Sequence, residues 1–212
     1  ISQLNGFDFG PDGMLYSPQP FLGRIVRIDP ETGAMATVTD TLPDLPTSVE
    51  FDSQGRLHAS LSGGILVRVD TGTGAHQVIA EIRDAVLDNM VFDGAGRLFV
   101  SDSDDGAIYE MAANGGIRAL VRGGLILPGG IAVMEGDSGR DSLFVADLWS
   151  LAEFDERLGR LLDVDRQSRA GGGIVEPWTV APDGGTVIIT SWMSNAVQIW
   201  DPTLETVVET HT

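Results

Sequence analysis

The stretch Leu87–Met111, LDNMVFDGAGRLFVSDSDDGAIYEM, decides the reading of this chain because it holds the clearest copy of a unit that recurs along all 212 residues. Its apolar runs are short and punctuated. Met90–Phe92 and Leu98–Ser101 flank the turn Gly94-Ala95-Gly96, Ala107–Met111 follows the acidic turn Ser103-Asp104-Asp105-Gly106, and Ile117–Val121 follows Asn114-Gly115-Gly116. Gly accepts positive φ and Asp or Asn bonds its own backbone, so such clusters reverse the chain between strands. The unit therefore predicts four short antiparallel strands.

The same opening recurs on both sides of this stretch. Leu4-Asn5-Gly6-Phe7-Asp8-Phe9 and Pro46-Thr47-Ser48-Val49-Glu50-Phe51 precede it, and Pro128-Gly129-Gly130-Ile131-Ala132-Val133 and Pro177-Trp178-Thr179-Val180-Ala181 follow. Starts at 4, 46, 87, 128 and 177 lie 42, 41, 41 and 49 residues apart, the period of roughly 40–50 residues at which propeller blades repeat. The chain reads as all-β, a single β-propeller domain over 1–212 with five visible four-stranded blades at about 4–45, 46–86, 87–127, 128–176 and 177–212. Phe9, Phe51, Phe92, Leu15, Leu57, Leu98, Phe144 and Ile189 are the predicted residues of its inter-blade core.

Composition narrows the partners. The formal charge is −18, and all 13 basic residues are arginines, dispersed among 31 carboxylates. That balance argues against nucleic acid and anionic membrane surfaces, which need clustered cations, and favours cations or small-molecule ligands. With no Cys, disulfides, thiolate metal sites and Cys nucleophiles are excluded. None of the three histidines, His58, His76 and His211, stands where a central channel would need a general base.

The phrases Asn5-Gly6-Phe7-Asp8-Phe9-Gly10-Pro11-Asp12-Gly13-Met14-Leu15-Tyr16 and Arg24-Ile25-Val26-Arg27-Ile28-Asp29-Pro30-Glu31-Thr32-Gly33 resemble the SMP-30/gluconolactonase/LRE-like family. NHL-repeat and streptogramin-lyase-like propellers use similar phrases. The resemblance implies a six-bladed ring of which five blades are visible here, and hydrolysis of lactones or esters at a divalent metal, calcium foremost, held in the central channel by Glu, Asn and Asp. Carried onto this chain, Asn5 is similar to one metal ligand and Asp88 in Leu87-Asp88-Asn89-Met90 to another. Glu176 in Glu176-Pro177-Trp178 comes nearest to the third, without the Gly of the family's phrase. Asn5 and Asp88 stand two repeats apart, with Thr47-Ser48 between them.

Blade geometry gathers candidate residues independently of that likeness. Inner-strand starts and second-strand ends share one face of an up-down propeller, which brings together Asn5, Asp88, Asn89, Glu176 and Trp178 with Asp102, Asp147, Trp149 and Trp192. Oxygen donors suit a hard cation, and indoles beside them suit a small organic ligand. Asn5 and Asp88 have two readings, as metal ligands or as caps of backbone groups at the channel mouth, and Trp178 and Trp192 as ligand contacts or inter-blade filler. Two functions follow: a metal-dependent lactonase-like hydrolase with Asp88 as metal ligand or base, or a non-catalytic propeller that binds a small ligand or protein partner on this face. If the ring lacks a blade, Phe7, Phe9 and Leu15 on one side and Val180, Ile188 and Ile189 on the other should be partly uncovered, a surface for self-association or a companion chain.

Overall fold

A computed structural model describes residues 4–135, 141–157, 159–166, 173–191 and 194–212. Each repeat forms one antiparallel four-stranded sheet whose strands neighbour one another in chain order. Blade 1 contains β1 Asp8–Phe9, β2 Leu15–Gln19, β3 Arg24–Ile28 and β4 Met35–Thr39; blade 2 contains β5 Pro46–Phe51, β6 Leu57–Leu61, β7 Ile65–Val69 and β8 His76–Glu81. Blade 3 contains β9 Leu87–Phe92, β10 Leu98–Asp102, β11 Ala107–Met111 and β12 Ile117–Val121; blade 4 contains β13 Pro128–Met134, β14 Ser142–Asp147, β15 Ser150–Asp155 and β16 Leu161–Arg166. Blade 5 contains β17 Thr179–Asp183, β18 Thr186–Ser191, β19 Ala196–Asp201 and β20 Thr206–His211. The chain is a five-bladed β-propeller, and the one helical element among the described residues is a 3₁₀ turn at Pro20–Leu22.

Period-two alternation gives each blade two apolar faces, and consecutive blades bury them against each other. Tyr16 and Ile25 of blade 1 meet Val49, Leu57 and Leu61 of blade 2, whose Leu66 meets Leu87, Met90 and Leu98. Phe99 and Ile108 of blade 3 pack with Leu143, Val145 and Phe154, and Phe144 of blade 4 packs with Val187, Ile189 and Trp200. Of the predicted core, Leu57, Leu98, Phe144 and Ile189 are buried, Phe51 and Phe92 are partly buried against these clusters, and Leu15 is half-buried. Phe9 is corrected: it is 54% exposed, because its face of β1 looks away from blade 2. Phe7 is exposed too, whereas Val180 and Ile189 are buried because their side chains point back at blade 4. Among the described residues, β17 and β18 do not pack broadly on β1 or β2.

The turns between first and second strands carry a shared device. Asp52 accepts the backbone N–H groups of Gln54 and Arg56 and, through its other oxygen, the Arg56 guanidinium and His58 Nε2. Burial works against ionisation, yet these donors bring the Asp52 carboxyl down to about 2. Asp93 repeats the arrangement with Ala95 and Arg97. Arg97 then reaches across the seam to Glu156 of blade 4.

Inner strands converge tightly near the axis, which explains the glycines there. Gly130 N–H donates to the Trp178 carbonyl at 3.0 Å, and a Cβ on Gly130 would overlap the backbone of Thr179. Gly130→Ala is expected to destabilise the fold by about 1–3 kcal/mol through overpacking. Gly185, with open space around it, serves as the control, and Gly185→Ala should be close to neutral in urea denaturation. Equal effects at the two positions would contradict the close approach of blades 4 and 5.

Candidate active site at the channel mouth

The inner strands all start at one end of the propeller, so the residues at or just before those starts ring the channel mouth. Asp88, second residue of β9, is the centre of this ring. Its carboxylate accepts a hydrogen bond from the Asn5 side chain, contributed by the segment leading into β1 two blades away, and one from Asn89 Nδ2 at 3.3 Å. The Asp88 backbone is held as well, since its carbonyl accepts Ser60 Oγ at 3.2 Å. Gly129 lies on the other side, where a Cβ would stand 3.5 Å from Asp88 Oδ2 and 3.1 Å from the Trp178 carbonyl. Absence of a side chain at 129 lets the β13 backbone pass close to the carboxylate. Burial raises the Asp88 carboxyl to about 6, the Asn5 bond offsetting part of that rise. A carboxyl poised there changes charge near neutral pH, as a general acid or base must.

The other predicted residues divide. Asn5 and Asp88 are brought together, and Asn89 is buried beside them. Trp178 is half-buried in the mouth ring with its backbone bonded to Thr190 and Gly130. Glu176, half-buried just before it, holds a left-handed φ of 41°, a conformation that costs a non-glycine residue about 1–2 kcal/mol. Asp102 and Asp147 act on loops: Asp102 Oδ1 accepts the backbone N–H of Val86 and Asp104, and Asp147 Oδ1 accepts those of Ile126 and Leu127. Trp192 lies outside the described residues.

A metal asks more of the site than it offers. Calcium takes about 6–8 oxygen ligands. Here two side chains, Asn5 and Asp88, converge, and among the described residues no group of three His, Asp or Glu side chains is placed to hold an ion. The residues present do not make a calcium site of their own.

Sequence reasoning missed two further acids on the inner strands. Asp8 Oδ2 accepts the Phe51 N–H at 2.8 Å, and Glu50 accepts the N–H of Phe92 in the next blade. Burial first and the Asp8 charge second push the Glu50 carboxyl well above the usual range. The signal was available: Asp8 and Glu50 occupy the inner-strand position that Val91, Ala132 and Ala181 fill in later repeats. An acid there is either a latch to the next blade or channel chemistry, and here it is a latch.

No protein-family model matches the chain, and no curated protein matches it in sequence. Solved structures do match in fold. A chain of a nidogen/laminin complex superposes with a TM-score of 0.82 at 20% identity, covering 98% of this chain and 79% of that one. A gluconolactonase from Xanthomonas campestris gives 0.81 at 16% identity, covering 100% and 76%. Regucalcin from Agrobacterium tumefaciens, a calcium-binding protein, gives 0.77 at 17% identity, covering 98% and 73%. The class is thus fixed as a β-propeller, the fold that this gluconolactonase and regucalcin share with a chain of the nidogen/laminin complex.

Proposed function

We propose that this propeller is a lactonase-like hydrolase of the SMP-30/gluconolactonase type, acting on lactone or ester small molecules at the channel mouth with Asp88 as general base. The observation that carries this reading is the buried Asp88 carboxyl, raised to about 6 and hydrogen-bonded from two blades away by Asn5. The structural likeness to a gluconolactonase and to regucalcin supports it. In the ionised state Asp88 takes a proton from a water beside it as the water oxygen adds to the carbonyl carbon. The bond from that carbon to the ring oxygen then breaks, the ring oxygen takes up the proton, and a hydroxy acid leaves. Asn5 and Asn89 orient the carboxylate. No step here is routed through a metal ion, which the two converging side chains Asn5 and Asp88 do not suffice to hold.

A non-catalytic ligand-binding propeller is the second reading, favoured by the lack of a three-acid cluster among the described residues. Hydrolysis of glucono-1,5-lactone and dihydrocoumarin, followed by acid release in weak buffer between pH 5 and 8, separates the two. The hydrolase reading expects a rate that rises with pH through about 6 and disappears in Asp88→Asn. Heat of calcium binding, measured on wild type and the same variant, tests the cation separately. Absence of any Asp88-dependent turnover would leave the binding reading standing.

A further inference from the structure

The seams between consecutive blades are not filled alike. At three of them the loop that carries the chain from an outer strand to the next inner strand folds an aliphatic side chain back between the blades. Leu42 does so at the blade 1–2 seam, Ile82 and Ala85 at the blade 2–3 seam and Ile174 at the blade 4–5 seam. Ile82 stands five residues before Leu87, where its inner strand begins, and Leu42 four residues before Pro46. At the blade 3–4 seam the same two positions, counted back from Pro128, are Gly123 and Gly124. Both hold a positive φ, 75° and 102°, which glycine adopts freely, and Leu125 after them is half-buried.

The space that the other loops fill stays open here as a cavity of about 820 Å³ between the outer strands of blades 3 and 4. That volume falls in the range of about 300–1,000 Å³ typical of small-molecule sites. Leu120, Val121 and Phe154 of the blade 3–4 core supply its buried wall, and Ile126, Trp149 and Leu161 its exposed rim. Bonds between elements fix the frame. On one side Arg118 donates to the Arg157 carbonyl at 2.8 Å, and Gly159 comes so near that a Cβ would overlap the Leu120 carbonyl. On the other, Asp147 Oδ1 accepts the N–H groups of Ile126 and Leu127, both at 2.7 Å. The cavity is thus preformed, as ligand pockets usually are.

One charge gives the site its chemistry. Arg122 is the basic residue of the lining; it is exposed and forms no ion pair among the described residues. Asp147, the acid of the lining, is 4% exposed, with one oxygen committed to the two loop amides. In a chain where 31 carboxylates outnumber 13 arginines, an arginine without an acid beside an apolar cavity is complementary to an anionic head on an apolar body.

We propose that the blade 3–4 seam is a second ligand site, separate from the channel mouth and independent of the hydrolase reading, which binds an alkyl monocarboxylate. The tail takes the place that Leu42, Ile82 and Ile174 fill at the other seams, and the carboxylate sits on Arg122. Calorimetry of the full chain with acetate, hexanoate, octanoate and decanoate tests this, with decanol as the neutral control. Each methylene buried should tighten binding by about threefold to fourfold until the cavity is full. Arg122→Gln should weaken decanoate by about twofold to fivefold and leave decanol unchanged. Ala152→Phe, which puts a ring into the cavity from its wall, should abolish binding of both. Trp149→Ala, at an exposed rim position whose loss leaves the core intact, should weaken both and reads the same site without touching the core. Asp88→Asn should bind decanoate as the wild type does. No decanoate binding at millimolar concentration, binding unchanged by both Ala152→Phe and Trp149→Ala, or binding lost in Asp88→Asn overturns the site. Equal affinity for decanol and decanoate overturns the place given to Arg122.

Discussion

Arg97→Met is expected to cost the fold about 3–5 kcal/mol, the penalty for breaking a buried ion pair from one side. Arg97 donates to Asp93 in its own turn and pairs with Glu156 of blade 4, and the side chains of both carboxylates are essentially inaccessible to water, at 1% and 0% exposure. Its guanidinium also lies 5.4 Å from the centroid of Phe99, at the seam where Phe99 packs against Leu143 and Phe154. Removing the cation leaves Asp93 with only the backbone N–H groups of Ala95 and residue 97, and leaves the buried Glu156 carboxylate without a hydrogen-bond partner. A buried pair swapped for apolar groups of similar volume is often neutral, whereas a half-removed pair is not. Arg97→Met with Glu156→Met should therefore recover a large part of the loss. Chemical denaturation of the single and double variants checks both statements. A single-variant loss under about 1 kcal/mol would show that the bridge is a bystander.

The five-fold repeat was legible because it rests on local chemistry. Turns such as Asp29–Gly33 and Asp70–Gly74 close on the Asp side chain whatever surrounds them, so Gly and Asp placed the strands well. What the repeat could not show is which face of a blade finds a partner. Phe9, Phe51 and Phe92 are equivalent in sequence, yet Phe51 packs on the blade 1–2 core, Phe92 on the blade 2–3 core, and Phe9 stays exposed. The same limit applied to the site. Asn5 and Asp88 were read from motif likeness and do meet, while Asp102 and Asp147 share their face but spend an oxygen on loop amides. Spacing locates a residue on a face and leaves the direction of its carboxylate to tertiary contacts. The blade 3–4 bridge through Arg97 and the Asp8 and Glu50 latches are of that second kind, pairings between repeats that no single repeat spells out.

Asp88→Asn is expected to abolish hydrolysis and at the same time stabilise the protein above neutral pH. Loss of a general base typically costs about 10²–10⁴ in rate. The stability effect follows from the burial of the Asp88 carboxyl. Its carboxyl titrates near 6 in the folded protein against 3.8 as the reference value, so the folded state holds the proton more tightly than the unfolded chain does. Stability associated with this group is therefore fully present below about pH 4 and declines as pH rises towards 6, where the folded protein must ionise a buried acid. Above that window the ionised form is disfavoured by roughly 3 kcal/mol, at about 1.36 kcal/mol for each pH unit of displacement. An amide of the same shape carries no such penalty and can still meet Asn5. Wild type and Asp88→Asn should accordingly differ little at pH 4 and diverge by up to about 3 kcal/mol at pH 8, the variant being the more stable, as happens when a strained functional group is removed. Denaturation at the two pH values decides it: equal stability at pH 8 would mean that Asp88 ionises freely in solvent, and the case for it as a poised base would fall with that result.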